Sequence, residues 1–317
     1  MRRPGDEQRG RLGDGRRTAG GHLRVRLPRR FRFQAAFNSR IKEVPTASYG
    51  TVFNDPRFKT WDDRAWVDLS WRKTFGVRTE VSARAYYDWS YYYGDYPYAG
   101  VDNTGGSPVD FTFINKDGSK SQLYGAELLV SHRIGGAHRV SGGGEYRNAF
   151  QMDQWNYIEN PYFLVLDDRR TEQLYGLFLQ DEIALGGGVT VIAGIRYDHY
   201  GTFGGTTNPR LAVVWTPRSG TTLKLLYGSA FRAPNAYEMF YNDGGSAQLA
   251  NPALGPERIR TYEAVLEQSV GEKVRFTVAG FHNRIKGLIS QEASDPADPN
   301  FPFIFRNVGG EPWATGG

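Results

Sequence analysis

An all-β fold, an antiparallel up-and-down transmembrane β-barrel, is what three features of this 317-residue sequence predict. Apolar and polar residues alternate with a period of two, tight turns alternate with long connections, and the chain is aromatic without being apolar. Aromatic residues make up 14% and glycines number 39, yet mean hydropathy is −0.54. Strands with one greasy and one wet face give this mixture, because lipid-facing and lumen-facing residues average out. A membrane helix would need roughly 18 or more continuous apolar residues, and the sequence offers no such run.

Residues 77–89 show the alternation best. Val77, Thr79, Val81, Ala83, Ala85, Tyr87 and Trp89 fall on one face, and Arg78, Glu80, Ser82, Arg84, Tyr86 and Asp88 on the other. A run of this length exceeds the usual 5–6 residues of soluble sheets and matches a tilted membrane strand with an extension. The pattern recurs at 65–71, 123–133, 139–150, 175–185, 191–199, 211–215, 223–229, 262–267 and 274–282, led by 31–38 and trailed by 301–308. That makes about twelve strands, or thirteen if 22–27 is counted. Tight Gly- or Pro-rich turns stand at 74–76, 135–137, 186–188, 217–220 and 271–272, as hairpins require. Longer connections are expected at 39–64, 92–120, 153–170, 201–208, 230–258 and 286–300. Short turns on one side and long loops on the other are the pattern of an outer-membrane barrel. A β-propeller would repeat one motif every 40–50 residues, and no such repeat is present.

The basic balance is local. Residues 1–32 hold eleven arginines against Asp6, Glu7 and Asp14, and the remainder holds 28 basic against 31 acidic side chains. Such a segment can be an arm for nucleic acid or lipid phosphate. Its Arg-Gly-Asp repetition without apolar period favours an unstructured or wrongly started leader over residues 1–30, and no nucleic-acid partner is expected. The absence of cysteine removes disulfides, thiolate metal sites and cysteine nucleophiles.

The most informative stretch is LKLLYGSAFRAPNAYEMFYNDGGSAQLANPALGPERIRTYEAVLE, residues 223–267. One block contains Tyr227, Gly228, Ala230, Phe231, Arg232, Ala233, Pro234, Asn235 and Glu238. A second contains Asn251, Pro252, Leu254, Pro256, Glu257, Tyr262 and Glu263. Pro234, Pro252 and Pro256 cannot donate to a ladder, so the chain must leave regular pairing here in a defined turn. On those grounds Arg232, Asn235, Glu238 and Glu257 are expected to satisfy one another and the turn backbone. Contact with a plug or ligand is the alternative. The two blocks, in this order, resemble the barrel domain of TonB-dependent receptors. FLQDEIAL, AGIRYDHY, NPRLAVVW, the Gly125-Ala126-Glu127 strand start and KEVPTASYG at 42–50 add to the resemblance, which covers roughly residues 31–308.

The resemblance implies a 22-stranded outer-membrane barrel of a Gram-negative bacterium, a plug, and TonB-powered uptake of a scarce nutrient: siderophore-iron, cobalamin or carbohydrate. Against that pattern this sequence is expected to be an incomplete barrel of 12–13 strands without plug, in which Phe305, Asn307, Val308 and Gly309 lead into a non-family tail over 309–317. A passive porin-like barrel and a soluble all-β carbohydrate-binding protein are the alternatives.

No catalytic site is expected. His22, His132, His138, His199 and His282 show no His-Glu-x-x-His spacing. The glycines at 142–144 and 186–188 precede no Lys-Ser or Lys-Thr, and no Gly-x-Ser-x-Gly elbow occurs. Asp295, Asp298 and Asn300 lack EF-hand spacing, and neither metal nor cofactor is expected. Residues 89–100, WSYYYGDYPYAG, suggest an aromatic girdle built by Tyr87, Trp89 and Tyr91. Tyr86, facing inward, and Tyr93, Tyr96 and Tyr98, in the following loop, are the candidate ligand contacts.

Overall fold

A computed structural model describes residues 17–26, 30–105, 107–271, 273–295, 297 and 301–317. In chain order its elements are β1 (Arg17–Arg26), β2 (Phe31–Glu43), β3 (Lys59–Phe75), β4 (Thr79–Asp102), β5 (Val109–Ile134), β6 (His138–Ile158), β7 (Phe163–Gly186) and β8 (Val189–Tyr200). There follow β9 (Gly204–Arg218), β10 (Thr221–Arg232), α1 (Ala236–Phe240), β11 (Gln248–Leu249), β12 (Glu257–Val270), β13 (Val274–Lys286), β14 (Ile289–Ala293), β15 (Phe303–Asn307) and β16 (Trp313–Gly316). One sheet of 13 strands follows chain order from β1 to β10 and continues β12, β13, β16, with β1 and β16 at its two edges. Each neighbouring pair is antiparallel. The three short strands β11, β15 and β14 form a separate small sheet.

Alternation assigns the two faces. On β4 and its neighbours Arg84 stands opposite Glu127 and diagonal to Asp68, which is opposite Tyr86, and the Arg84 guanidinium binds both carboxylates. The same inner face continues through Glu145, Arg196 and Asp198, where Arg196 donates to Glu145 at 3.0 Å and to Asp198 at 2.9 Å. Lys224 pairs with Glu267 at 2.6 Å further round. The opposite face carries Leu128, Val130, Leu177, Leu179, Ile195, Leu211, Leu225, Leu266 and Val278, all exposed. Tyr87, Tyr124, Tyr146, Tyr175 and Tyr197 close its upper border. An apolar band of this extent, uncovered by a second layer among the described residues, suits lipid and not water, so the soluble carbohydrate-binding alternative lacks the packed core it requires. Among the described residues no helix is long and apolar enough to cross a membrane.

Close approach makes two glycines necessary in this wall. A Cβ at Gly125 would collide with the Tyr86 ring, and one at Gly176 would lie 2.6 Å from both Arg196 Nη2 and Asp198 Oδ1. Flat rings and ion pairs therefore lie across backbone, as strand glycines permit.

Several expectations need correction. Residues 92–120 are no loop: β4 and β5 stay paired up to Asp102↔Val109. Residues 153–170 are likewise mostly strand, with β6 and β7 paired to Ile158↔Phe163, and 201–208 shrinks to a turn before Gly204. The reason lies in Pro97. β3 begins at Lys59 opposite Asp95, so beyond that point no strand pairs with this side of β4; only the Val52 N–H reaches it, donating to the Pro97 carbonyl at 2.9 Å, and Pro97's missing N–H breaks no ladder. Part of the arginine-rich segment, Arg17–Arg26, is strand β1, paired with β2 from Arg17↔Ile41 to Arg26↔Arg32. A barrel strand tolerates this because one face is wet. Arg24 lines the same inner recess as Arg32, Arg72 and Arg84, and residues 1–16 and 27–29 lie outside the described residues. The tail also joins the sheet, with β16 paired to β13 from Phe281↔Gly316 to Arg284↔Trp313. Asp298 and Asn300 of the oxygen cluster lie outside the described residues.

Candidate functional site: a loop folded into the barrel mouth

The connection from β10 to β12 is a long excursion with architecture of its own. Arg232, the last residue of β10, clasps its root. Its Nη1 donates to Glu238 Oε1 at 2.9 Å, and its Nε donates to Glu257 Oε2 at 2.7 Å. Glu257 Oε1 in turn accepts from the Ile289 N–H at 2.7 Å, fastening the next connection to the same point. The guanidinium hydrogen bond holds the Glu257 carboxyl below its ordinary range. After Ala233 and Pro234 the chain turns into α1. Asn235 Oδ1 accepts from the Glu238 N–H at 2.9 Å, and Glu238 Oε2 accepts from the Asn235 N–H at 2.8 Å. This reciprocal capping box explains how a helix of only five residues starts here.

The second block serves as anchor. Asn251 Nδ2 donates to the Phe305 carbonyl at 2.8 Å, its N–H reaches the Met239 carbonyl at 2.9 Å, and Leu254 and Met239 are buried. Asn307 grips Gly255 from both sides, accepting from its N–H at 2.8 Å and donating to its carbonyl at 2.9 Å. It also donates to the Gly287 carbonyl at 2.8 Å. Pro252 and Pro256 flank Leu254 and pass the chain from small sheet to β12 without needing donors. Tyr227 faces outward against Tyr262, ring centroids 5.2 Å apart, while Gly228 stands opposite Arg210 and Phe231 packs edge-on against Tyr200 at 5.7 Å. The structure thus brings together Arg232, Asn235, Glu238, Asn251 and Glu257, and leaves Tyr227 and Gly228 as wall residues.

What the sequence did not reveal is where this loop goes. It crosses to the inner face of β5 and β6, above the level of the tyrosine border. Tyr241 donates to Asp117, Asn156 Nδ2 donates to the Tyr241 hydroxyl at 3.0 Å, and Gln154 Nε2 donates to the Ala236 carbonyl at 3.2 Å. The Arg170 guanidinium sits 3.5 Å from the centroid of Phe240. Burial pushes the Asp117 carboxyl up to about 6, against the opposing hydrogen bonds of Tyr241 and Asn156, and burial beside Asp117 pushes the Tyr241 phenol up as well. Asp117 sits in a Lys-Asp-Gly triplet that reads as turn, so nothing local marked it. The i, i+4 spacing of Tyr237 and Tyr241, rings 4.7 Å apart, was the available sign of a helix face with a partner.

The four candidate tyrosines separate. Tyr86 does face inward, donating to Glu145 at 3.3 Å with Arg84 4.5 Å from its ring centroid. Tyr96 is buried with Val44 and Phe58, and its hydroxyl meets that of Tyr92. Tyr98 packs on that cluster and stacks on Phe113 at 5.8 Å. Tyr93 points the other way: it lies on the outer face beside Trp61, ring centroids 5.3 Å apart, and accepts from Lys116 Nζ at 2.8 Å. Strand continuity through Pro97 dictates this, since residue 93 must alternate with 92.

A polar-lined, apolar-coated antiparallel wall with a loop folded into its upper opening defines the class: an outer-membrane-type receptor barrel. The family model for the TonB dependent receptor-like β-barrel matches residues 4–316, and the chain belongs to that family. It is similar to an iron-regulated outer membrane virulence protein of Vibrio cholerae, 32% identical over 120 residues that are 37% of this chain and 18% of that protein. It is also similar to the vitamin B12 transporter BtuB of Photobacterium profundum, 25% identical over 114 residues, 36% of this chain and 18% of that one. In fold it is similar to a ferric enterobactin receptor of Pseudomonas aeruginosa, with a TM-score of 0.65 at 15% identity over 95% of this chain and 48% of that one. The chain therefore spans less than a fifth of these curated relatives in alignment and about half of the solved receptor. The family is one of outer-membrane receptors and transporters, not enzymes.

Proposed function

We propose that this chain forms barrel wall in an outer-membrane receptor of a Gram-negative bacterium that takes up a scarce nutrient, with TonB acting through a plug. The observation that carries this reading is the Arg232-clasped loop folded into the mouth, because a loop pinned across the lumen restricts free passage. Siderophore-iron, cobalamin and carbohydrate are the candidate cargoes; the iron-regulated and vitamin B12 relatives support the first two. Tyr98, half-buried beside Phe113 on the inner side, is the tyrosine we retain as ligand contact. Cells carrying the gene should accumulate labelled siderophore-iron or cobalamin, and the accumulation should stop when the proton gradient is collapsed. Uptake that persists without the gradient would favour the passive porin-like alternative instead.

A further inference from the structure

The inner side of the mouth brings together three tyrosines from three separate parts of the chain. Tyr98, half-buried on the tall part of β4, stacks on Phe113 at 5.8 Å. Tyr237 of α1 lies against Tyr241 at 4.7 Å and edge-on to Phe305 at 6.1 Å, with 47% of its surface exposed. Tyr49, from the connection between β2 and β3, meets Tyr96 edge-on at 6.1 Å and is 80% exposed. Its backbone is left-handed, φ 61°, a posture that a bulky residue keeps only where its surroundings impose it. The Val52 N–H, donating to the Pro97 carbonyl, ties that connection to the same stretch of β4.

Two carboxylates flank these rings, and neither is neutralised. Asp117 accepts from Tyr241 and Asn156, and Asp243 accepts from the Ala247 N–H at 2.9 Å and the Gln248 N–H at 3.0 Å, all uncharged donors. Burial first, and then the charges of Asp117, Asp243 and Tyr49, push both the Tyr98 and the Tyr237 phenols up, and no cation among the described residues opposes them. The rings therefore stay neutral and keep their electron-rich faces. Of the neighbouring guanidiniums, Arg40 is engaged by Asp62 at 3.0 Å and Arg170 by Asp168 at 2.8 Å. Lys42 stands at the far end of the Asp117 row, beyond Gly94 and Thr60. The wider surroundings have the same sign. The long connections read from the sequence, 39–64, 92–120, 153–170, 201–208, 230–258 and 286–300, hold twelve basic against eighteen acidic residues.

We propose that the space between Tyr49, Tyr98 and Tyr237 takes a cationic group, so that the cargo is an iron chelate bearing a free ammonium and not a polyanionic chelate. Aromatic faces attract a desolvated ammonium, Asp117 and Asp243 supply the countercharge, and the acidic connections raise the local concentration of cations at the mouth. A polyanion would meet two carboxylates at the same place. This deepens the receptor reading above and rests on it.

The test uses the full chain folded in zwitterionic detergent, with binding followed by isothermal titration calorimetry. Three probes are compared: the iron(III) complex of a linear trihydroxamate ending in a free amine, the same complex with that amine acetylated, and a trianionic iron(III) tricatecholate. The amine-bearing complex should bind about tenfold or more tighter than the acetylated one, and the tricatecholate should bind weakest. Tyr98→Leu/Tyr237→Leu should abolish the preference for the amine, whereas Tyr98→Phe/Tyr237→Phe, which keeps both ring faces, should retain it. Equal binding of the free and acetylated amines overturns the proposal, as do tighter binding of the tricatecholate, binding of none of the three, or a folded leucine variant with its preference intact. If the leucine variant loses the heat-modifiable mobility of a folded barrel, Asp243→Asn decides: the preference should fall about threefold, and an unchanged preference overturns the proposal. The receptor reading fails by a different result, uptake that persists in cells after the proton gradient is collapsed.

Discussion

The two halves of the sheet differ in height. Strands β4 to β7 run for 24, 26, 21 and 24 residues, whereas β8, β9, β10 and β13 stop at 12, 15, 12 and 13. The same alternation therefore does different things on the two sides. The short half is little more than a membrane crossing, and its variation is spent in the connection after β10. The tall half repeats its two faces above the lipid, so its inner surface receives that connection at Asp117, Gln154 and Asn156 while its outer surface carries Trp61, Trp89, Tyr91 and Trp155.

The comparison breaks most readily at the root of the loop on the short side. Arg232→Ala leaves Glu238 and Glu257, both mostly shielded from solvent, without their shared cation. A loss of roughly 2–4 kcal/mol in loop docking is expected, since orphaned shielded charges cost that order. Hydrogen exchange over residues 233–256 would rise by at least an order of magnitude, while exchange in β4–β7 below the mouth stays unchanged. On the tall side, Gly125→Val forces the Tyr86 ring off the backbone and should cost roughly 1–3 kcal/mol by overpacking. Thermal loss of heat-modifiable mobility would report it, and an unchanged midpoint would show that the wall has more slack than the close approach implies. Asn235→Ala removes one half of the capping box, for about 1 kcal/mol, visible as faster exchange confined to residues 236–241.

The smallest effect is the most discriminating, because acid should act oppositely on the two ends of the loop. Asp117 lies above the membrane band with its carboxyl raised to about 6 from 3.8. Its charged form is the disfavoured one in the docked loop, so docking is weakened above about pH 6 and regains strength as pH falls toward 4. Glu257 is lowered from 4.5 by Arg232; its clasp is intact at neutral pH and is lost only below that ordinary value. Between pH 7 and pH 5 protection near Tyr241 should increase, and Asp117→Asn should flatten the response. Loosening at Tyr241 over that interval would contradict the assignment.

How much of this was legible depends on whether the cause is local. The membrane crossings were, because period-two patterning is set by lipid on one side and water on the other, residue by residue. So was the clasp, since Arg232, Asn235, Glu238 and Glu257 lie close in sequence or belong to one turn. The tall wall was not. Gly94, Pro97, Gly100 and Gly118 read as loop, yet each glycine gives way to an aromatic ring laid across it from Tyr96, Phe111 or Trp155, and Pro97 uses a strand edge left because β3 starts only at Lys59, opposite Asp95. β16 was missed, and β1 was anticipated only as an optional strand over 22–27, for a related reason: an arginine-rich or glycine-rich stretch pairs readily when its neighbour supplies the ladder. The landing site of the loop was invisible because Asp117 and Tyr241 meet only through the curvature of the sheet.

That meeting spans 124 positions of the chain. Contacts so distant in sequence form last, after the entropy of closing the intervening segment has been offset by nearer pairings. The Tyr241 contact can therefore mature only once every hairpin between β5 and β10 is in register. Its appearance is a completion signal for half the sheet, and protease resistance within residues 233–256 should be the final property the chain acquires as it inserts.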